Sequence, residues 1–142
     1  ENEEIEHEVQ IFQNALDFSE LKVRECMVPR TDIIAVDLET PIEEMKLKFI
    51  ETGLSKILIY RDSIDNIIGF THSSELFKSP DAIKNVLLPV TIVPETMSGS
   101  DALKHLIQQK KSIALVVDEF GGTAGILTLE DMVEEIFGEI ED

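Results

Sequence analysis

The chain contains one sequence unit twice. A duplicated unit that cannot bury its apolar face alone constrains a fold more than any other feature. Gly69-Phe70-Thr71-His72-Ser73-Ser74-Glu75-Leu76 returns as Gly125-Ile126-Leu127-Thr128-Leu129-Glu130-Asp131-Met132. Each copy follows two apolar, strand-like runs joined by a polar turn, and each leads into a short amphipathic helix. Upstream, Ile57-Leu58-Ile59-Tyr60 aligns with Ala114-Leu115-Val116-Val117 at an offset of 57, and Met27-Val28-Pro29 with Leu87-Leu88-Pro89 at an offset of 60. Offsets that drift so little need only small loop insertions, so the unit spans most of the chain from about residue 23 onward.

Local patterns fill in each unit. Ile5, Val9, Phe12 and Leu16 recur at helical spacing, predicting a helix over 3–20 with an acidic outer face. Residues 32–38 read as a strand. Thr40-Pro41-Ile42-Glu43 reads as a helix start, with Thr40 as N-cap, Pro41 in the first turn and Glu43 closing a capping box. Gly53 is a natural residue to end that helix. Strands follow at 56–60 and 67–70, with 61–66 as their turn; in the second copy the turn is Asp118-Glu119-Phe120-Gly121-Gly122, whose glycines supply positive φ angles. A helix is expected over 101–110, strands over 113–117 and 124–127, and a last helix from Thr128. The near-continuous apolar strands should be buried on both faces. The fold class is therefore α+β: two β-α-β-β-α repeats, sheet against sheet about a pseudo-twofold axis with helices outside, preceded by an acidic N-terminal helix. The segments are 1–22 (linker helix), 23–80 (first repeat) and 81–142 (second repeat).

Charge narrows the function. The formal net charge of −17 excludes a protein that grips nucleic acid through phosphate contacts, which needs a basic face. The acids gather at both ends, as solvated helix faces or as surfaces that Mg²⁺ or a basic partner would neutralise. No run approaches the roughly 18 apolar residues of a membrane-spanning helix, so no membrane insertion by this stretch is expected. Five glutamates in the first eight residues are unlike a signal peptide and suggest a piece of a longer protein. The single cysteine, Cys26, has no neighbouring cation to lower its pKa and reads as a structural thiol of a reducing compartment.

Thr128-x-x-Asp131 is the focal pair. Thr followed by an acid three residues on is how many helices begin, and that alone explains it. Its position after a glycine-led buried strand adds a second reading: the helix N-terminus presents free N–H groups beside the sheet, and the aspartate can accept hydrogen bonds from a ribose diol. His7, His72 and His105 lack metal-ligand spacing. Glu134/Glu135 and Glu139/Glu141 have no apolar pocket to raise a pKa. With no nucleophile–base pair and no metal triad, no enzymatic activity and no metal site are expected.

These residues resemble a known family. Two such units, each closing on the glycine-led motif above, resemble a CBS-domain pair (Bateman module). Cys26-Met27-Val28-Pro29-Arg30-Thr31-Asp32-Ile33, with Val116 through Asp131, resemble the CorC/HlyC hemolysin-like family, related to the cyclin-M magnesium transport mediators. The resemblance implies a cytoplasmic regulatory module of a bacterial inner-membrane protein. Such a module binds adenine nucleotide (ATP or AMP), often with Mg²⁺, and controls an attached Mg²⁺/Co²⁺ transporter. It implies a homodimer formed through the CBS helices, a preceding transmembrane domain, and a further C-terminal domain reached through Gly138-Glu139-Ile140-Glu141-Asp142.

Carried over by motif, the resemblance implies that Asp131 takes the ribose hydroxyls and Thr128 the ribose-phosphate edge. Thr31, Asp32 and Ile33 would line the adenine, and Leu54, Ser55, Lys56 and Ser112 would complete the cleft, with Lys56 its evident cation. Ser112 stands where the family usually has His, and His72 and Glu75 stand where Thr and Asp are expected. One competent cleft is therefore expected rather than two. The acidic surface favours Mg-ATP over free ATP. The rival expectations are a nucleotide-independent dimerisation module with vestigial clefts, and direct Mg²⁺ sensing by the acidic ends.

Overall fold

The computed structural model describes residues 2–137. Helix α1 (Asn2–Glu20) leads through a short turn of helix, α2 (Val23–Cys26), to the two-residue strand β1 (Val28–Pro29). The first half then holds β2 (Ala35–Asp37), α3 (Ile42–Thr52), β3 (Lys56–Arg61) and β4 (Ser63–His72). The second repeats the plan with β5 (Thr91–Pro94), α4 (Gly99–Gln109), β6 (Ile113–Val117), β7 (Thr123–Thr128) and α5 (Leu129–Phe137). In each half a parallel pair (β2 with β3, β5 with β6) is extended by an antiparallel hairpin (β3–β4, β6–β7).

The halves exchange their leading segments. Strand β1 does not join β2; it crosses to β7, pairing Val28 with Ile126 and Pro29 with Gly125. At the equivalent place in the second repeat, Leu88 bridges Phe70 of β4 through two hydrogen bonds, Phe70 N to Leu88 O at 2.9 Å and Leu88 N to Phe70 O at 2.7 Å. This crossing explains the repeated glycine. A Cβ on Gly125 would overlap the Val28 carbonyl oxygen and come within 2.6 Å of Met27 Sδ; a Cβ on Gly69 would overlap the Leu88 carbonyl oxygen and Leu87 Cδ1. Only a hydrogen at these positions lets the incoming backbone approach.

Each half has its own core, and a third cluster joins them. Met45, Phe49, Ile57, Ile59 and Ile83 fill the first half; Val23, Val93, Leu106, Leu127 and Met132 fill the second. Leu58, Phe70 and Ile113, with Ile33 and Ile126 against them, pack the sheets face to face. Ile57–Ile59 and Ile113–Val116 are buried throughout, as their unbroken apolar runs require. A side chain of this size contributes about 1.5–3 kcal/mol when fully buried, so the joining cluster is a substantial part of what holds the halves together.

Several local expectations change. The strand expected over 32–38 shortens to Ala35–Asp37, because Arg30–Asp32 forms a 3-10 turn closed by Ile33 N to Arg30 O at 3.3 Å. That turn is held at a junction of both halves. The Arg30 guanidinium pairs with Asp65 and donates to Thr123 O at 3.1 Å, while Thr123 N donates to Asp65 at 3.1 Å and Thr123 Oγ1 to Ile64 O at 2.8 Å. The Arg30 and Thr123 hydrogen bonds hold the Asp65 carboxyl below its ordinary range.

Thr40 is not an N-cap. Helix α3 starts at Ile42 after Pro41, without a side-chain cap, because Asp37 organises the preceding turn by accepting Glu39 N at 2.8 Å and Thr40 N at its carbonyl. Gly53 does end α3, at φ 70°. The turn expected over 61–66 contracts to Asp62, at φ 73°, and most of the rest joins β4. Of the two turn glycines only Gly121 has positive φ. The first repeat's closing helix is a 3-10 segment, Ser73–Lys78, ended by left-handed Ser79 just before Pro80. Helix α1 docks through Asn14 and Phe18, Asn14 Nδ2 donating to Ile136 O at 2.7 Å; Ile5, Val9, Phe12 and Leu16 are exposed instead of forming the docking face. The Cys26 thiol is half-buried, its pKa pushed up by burial and by Glu135 and Glu25, which suits a structural role.

Candidate functional site

Where β1 crosses to β7, a cleft of about 390 Å³ opens between the halves. Val28 and Ile126, the crossing pair, form part of its floor with Ile34, Leu58 and Ile113. Its rim is polar and comes from three places: Asp32 from the 3-10 turn, Ser55 and Lys56 from the entry to β3, and Thr128, Glu130 and Asp131 from the start of α5. An apolar floor with a few convergent polar groups is the usual build of a small-molecule site.

The α5 start is well fixed. Thr128 Oγ1 accepts the Asp131 N–H at 3.1 Å, so the focal pair does form the expected helix cap. Leu129 N donates to Ser112 O at 2.9 Å, tying the first turn to the base of β6. The Asp131 carboxylate is exposed and accepts no hydrogen bond among the described residues, leaving it free for a ligand. Lys56 is the one cation of the lining; its ammonium donates to Glu130 Oε2 at 3.0 Å. Burial pushes the Glu130 carboxyl up, but the Lys56 hydrogen bond, its own backbone N–H and the Lys56 charge outweigh this and bring it below its ordinary value.

Of the nine residues anticipated from sequence, Asp32, Leu54, Ser55, Lys56, Thr128 and Asp131 line this cleft. Three do not. The Thr31 hydroxyl lies on the exposed side, 3.4 Å from Asp32 Oδ1. Ile33 packs between the sheets. Ser112 contributes its carbonyl to α5 and lines a second cleft instead. Val28, Ile34, Gly53, Leu58, Ile113, Ile126 and Glu130 were not anticipated as lining; the apolar ones carry only a core signal in sequence, Gly53 only that of a helix end, and Glu130 merges with the C-terminal acids.

That second cleft is the pseudo-symmetric counterpart, lined by Phe70 and Leu88 where the first has Ile126 and Val28, and by Lys110, Lys111 and Ser112. It holds only about 210 Å³, below the roughly 300 Å³ at which ligand pockets begin. Glu75, the counterpart of Asp131, is occupied by Lys78 at 2.9 Å, and His72 Nδ1 accepts the Ser74 N–H at 3.1 Å. Neither side chain lines this cleft. Among the described residues no three His, Cys, Asp or Glu side chains converge to hold a metal ion, and no helix is long and apolar enough to cross a membrane. The segment 138–142, read as a link to a further domain, and with it Glu139/Glu141, lies outside the described residues.

A crossed pair of sheet-and-helix repeats with a cleft at the crossing defines a tandem module of the CBS type. The chain belongs to the CBS domain family, which matches residues 23–81 and 83–138. It is 38% identical over 141 residues to hemolysin C of Rickettsia prowazekii (strain Madrid E), covering 95% of this chain and 46% of that protein. The chain thus spans about half the length of the curated relatives it matches. Among solved structures it is similar to the CBS domain of a bacterial CNNM/CorC family Mg²⁺ transporter, at TM-score 0.89 and 36% identity over 96% of this chain and 87% of that one. It is also similar to a CBS domain of that transporter family in complex with ATP, at TM-score 0.87 and 36% identity over 92% and 97% of the two chains.

Proposed function

We propose that this module senses adenine nucleotide in the crossing cleft and relays occupancy to an attached membrane transporter of divalent cations such as Mg²⁺ or Co²⁺, from its cytoplasmic side. The observation that carries the reading is the free Asp131 carboxylate at the α5 N-terminus, facing an apolar floor supplied by both halves. The floor accepts a flat base, Asp131 takes the ribose hydroxyls, and Lys56 with the α5 N-terminus meets the phosphates. Asp32, Glu130 and Asp131 set three acids around one lysine, so the nucleotide enters best with Mg²⁺, whose charge offsets that of the phosphates and the rim. The smaller cleft, whose Asp131 counterpart is already paired, stays empty. The module acts by binding and not by catalysis.

Binding from both halves makes ligand affinity and fold stability one linked quantity. ATP with Mg²⁺ at 100 times its Kd stabilises the chain by about 2.7 kcal/mol, a rise in Tm of roughly 5–10 °C for a domain of this size. Differential scanning fluorimetry measures it. No shift with ATP, with or without Mg²⁺, would leave the nucleotide-independent dimerisation module as the reading. A shift with Mg²⁺ alone would point to the acidic ends.

The module pairs with a second copy through its helices. Ile50 on α3 and Ile107 on α4 are exposed at equivalent places of the two repeats, with Val133 and Phe137 exposed on α5. Burying such faces is what drives association in water. Ile50→Asp with Ile107→Asp should convert a dimer to a monomer by light scattering while leaving the circular dichroism spectrum unchanged. An unchanged mass would place the interface elsewhere.

A further inference from the structure

The Lys56–Glu130 pair raises a difficulty that the nucleotide reading, on which this inference rests, does not resolve. The only cation of the lining already has an anion. Its side chain is 11% exposed, whereas that of Glu130 is 64% exposed, so the lysine is fixed in the wall while the glutamate can swing into solvent with little loss of contact. The two residues are 74 positions apart, one at the entry to β3 and one in the first turn of α5, so the pair spans the cleft between the halves. Glu130 also adjoins Asp131, the ribose acid, so a phosphate extending from a ribose held there arrives where Glu130 sits.

We propose that Glu130 is a specificity-determining residue that acts as a built-in competitor of the nucleotide phosphates: it holds Lys56 in the empty cleft and must release it before a phosphate can bind. The exchange replaces one charge-assisted hydrogen bond by another. A ligand without phosphate cannot drive it and leaves the pair intact. A polyphosphate drives it because it brings more charge to Lys56 than a single carboxylate does. The ionisation of Glu130 at neutral pH, favoured by the Lys56 hydrogen bond, keeps the competitor active in the empty state. Occupancy also releases a tie between the halves, so the bound and empty states differ in what connects β3 to α5.

The test is calorimetric titration of ATP and of adenosine, without Mg²⁺, into the wild type, Glu130→Gln, Lys56→Met and the double variant. Glu130→Gln should tighten ATP about tenfold, equivalent to ~1.4 kcal/mol, and leave adenosine unchanged. In the Lys56→Met background the same substitution should gain about twofold or less, because the coupling between neighbours has been removed. ATP binding that is unchanged or weaker in Glu130→Gln overturns the proposal. So does an equal gain in both backgrounds, which would mean that Glu130 acts by simple repulsion. ATP binding seen only in Glu130→Gln supports it. If none of the four folded proteins binds ATP, the nucleotide reading fails, and this inference with it.

Discussion

Gly125→Ala should lower stability by about 3 kcal/mol, near the upper end of what overpacking costs, seen as a lower denaturation midpoint in urea. The added methyl meets the Val28 carbonyl oxygen and the Met27 side chain. The side chain can turn away, but the carbonyl belongs to the crossing strand and moves only if β1 leaves β7. Gly69→Ala should behave alike, since its methyl would meet the Leu88 carbonyl oxygen. Gly53→Ala is the informative control. Gly53 has φ of 70° and open space around it, so alanine there meets only the backbone preference, about 1 kcal/mol. Equal losses at all three positions would mean that the crossing contributes nothing beyond ordinary glycine chemistry. Because Val28 and Ile126 also line the cleft, Gly125→Ala should weaken ATP as well.

Asp131→Ala should have the opposite profile. It should raise the Kd for ATP about a hundredfold, corresponding to two hydrogen bonds to a charged group at about 1.5 kcal/mol each. Unliganded stability should barely change, because the carboxylate has no partner among the described residues and the helix cap is made by its backbone N–H to Thr128. Asp131→Asn, which keeps one acceptor and loses the charge, should fall between. Calorimetry gives the affinities and urea unfolding the stability. A Kd within threefold of wild type would remove Asp131 from the site, while parallel loss of affinity and stability would make it a structural residue.

The repeat was legible because its letters are constrained by contacts made in both copies: Gly69 and Gly125 each admit a crossing backbone. The crossing itself was not legible. A two-residue strand has no periodicity, and nothing local to Val28-Pro29 says that its partner lies nearly a hundred residues away at Ile126 and Gly125. The same gap bears on which residues line the cleft. The resemblance implied Thr31, Asp32 and Ile33 along the base, whereas Pro29 and the Arg30 junction bend the chain into a turn that puts Asp32 and then Ile34 in the cleft. Thr128 and Asp131, which line the cleft, stood out in the sequence because they carry a helix-cap signature. Leu58, Ile113 and Ile126 were missed because a cleft floor and a core have the same composition. In α1, helical spacing identified the apolar stripe but not its partner; the packing contacts fall on Asn14 and Phe18.

The reciprocal crossing bears on why the unit occurs twice in one chain. A single copy folded alone would leave the outer edge of its last strand bare, an open template for any other strand. Two separate copies could satisfy one another by trading leading segments, the economy of a swapped dimer. Joining them in one polypeptide makes that trade independent of protein concentration, since each segment is always present at the high effective concentration of a tethered partner. Neither repeat then has a complete sheet without the other, and unfolding should be a single cooperative event rather than two.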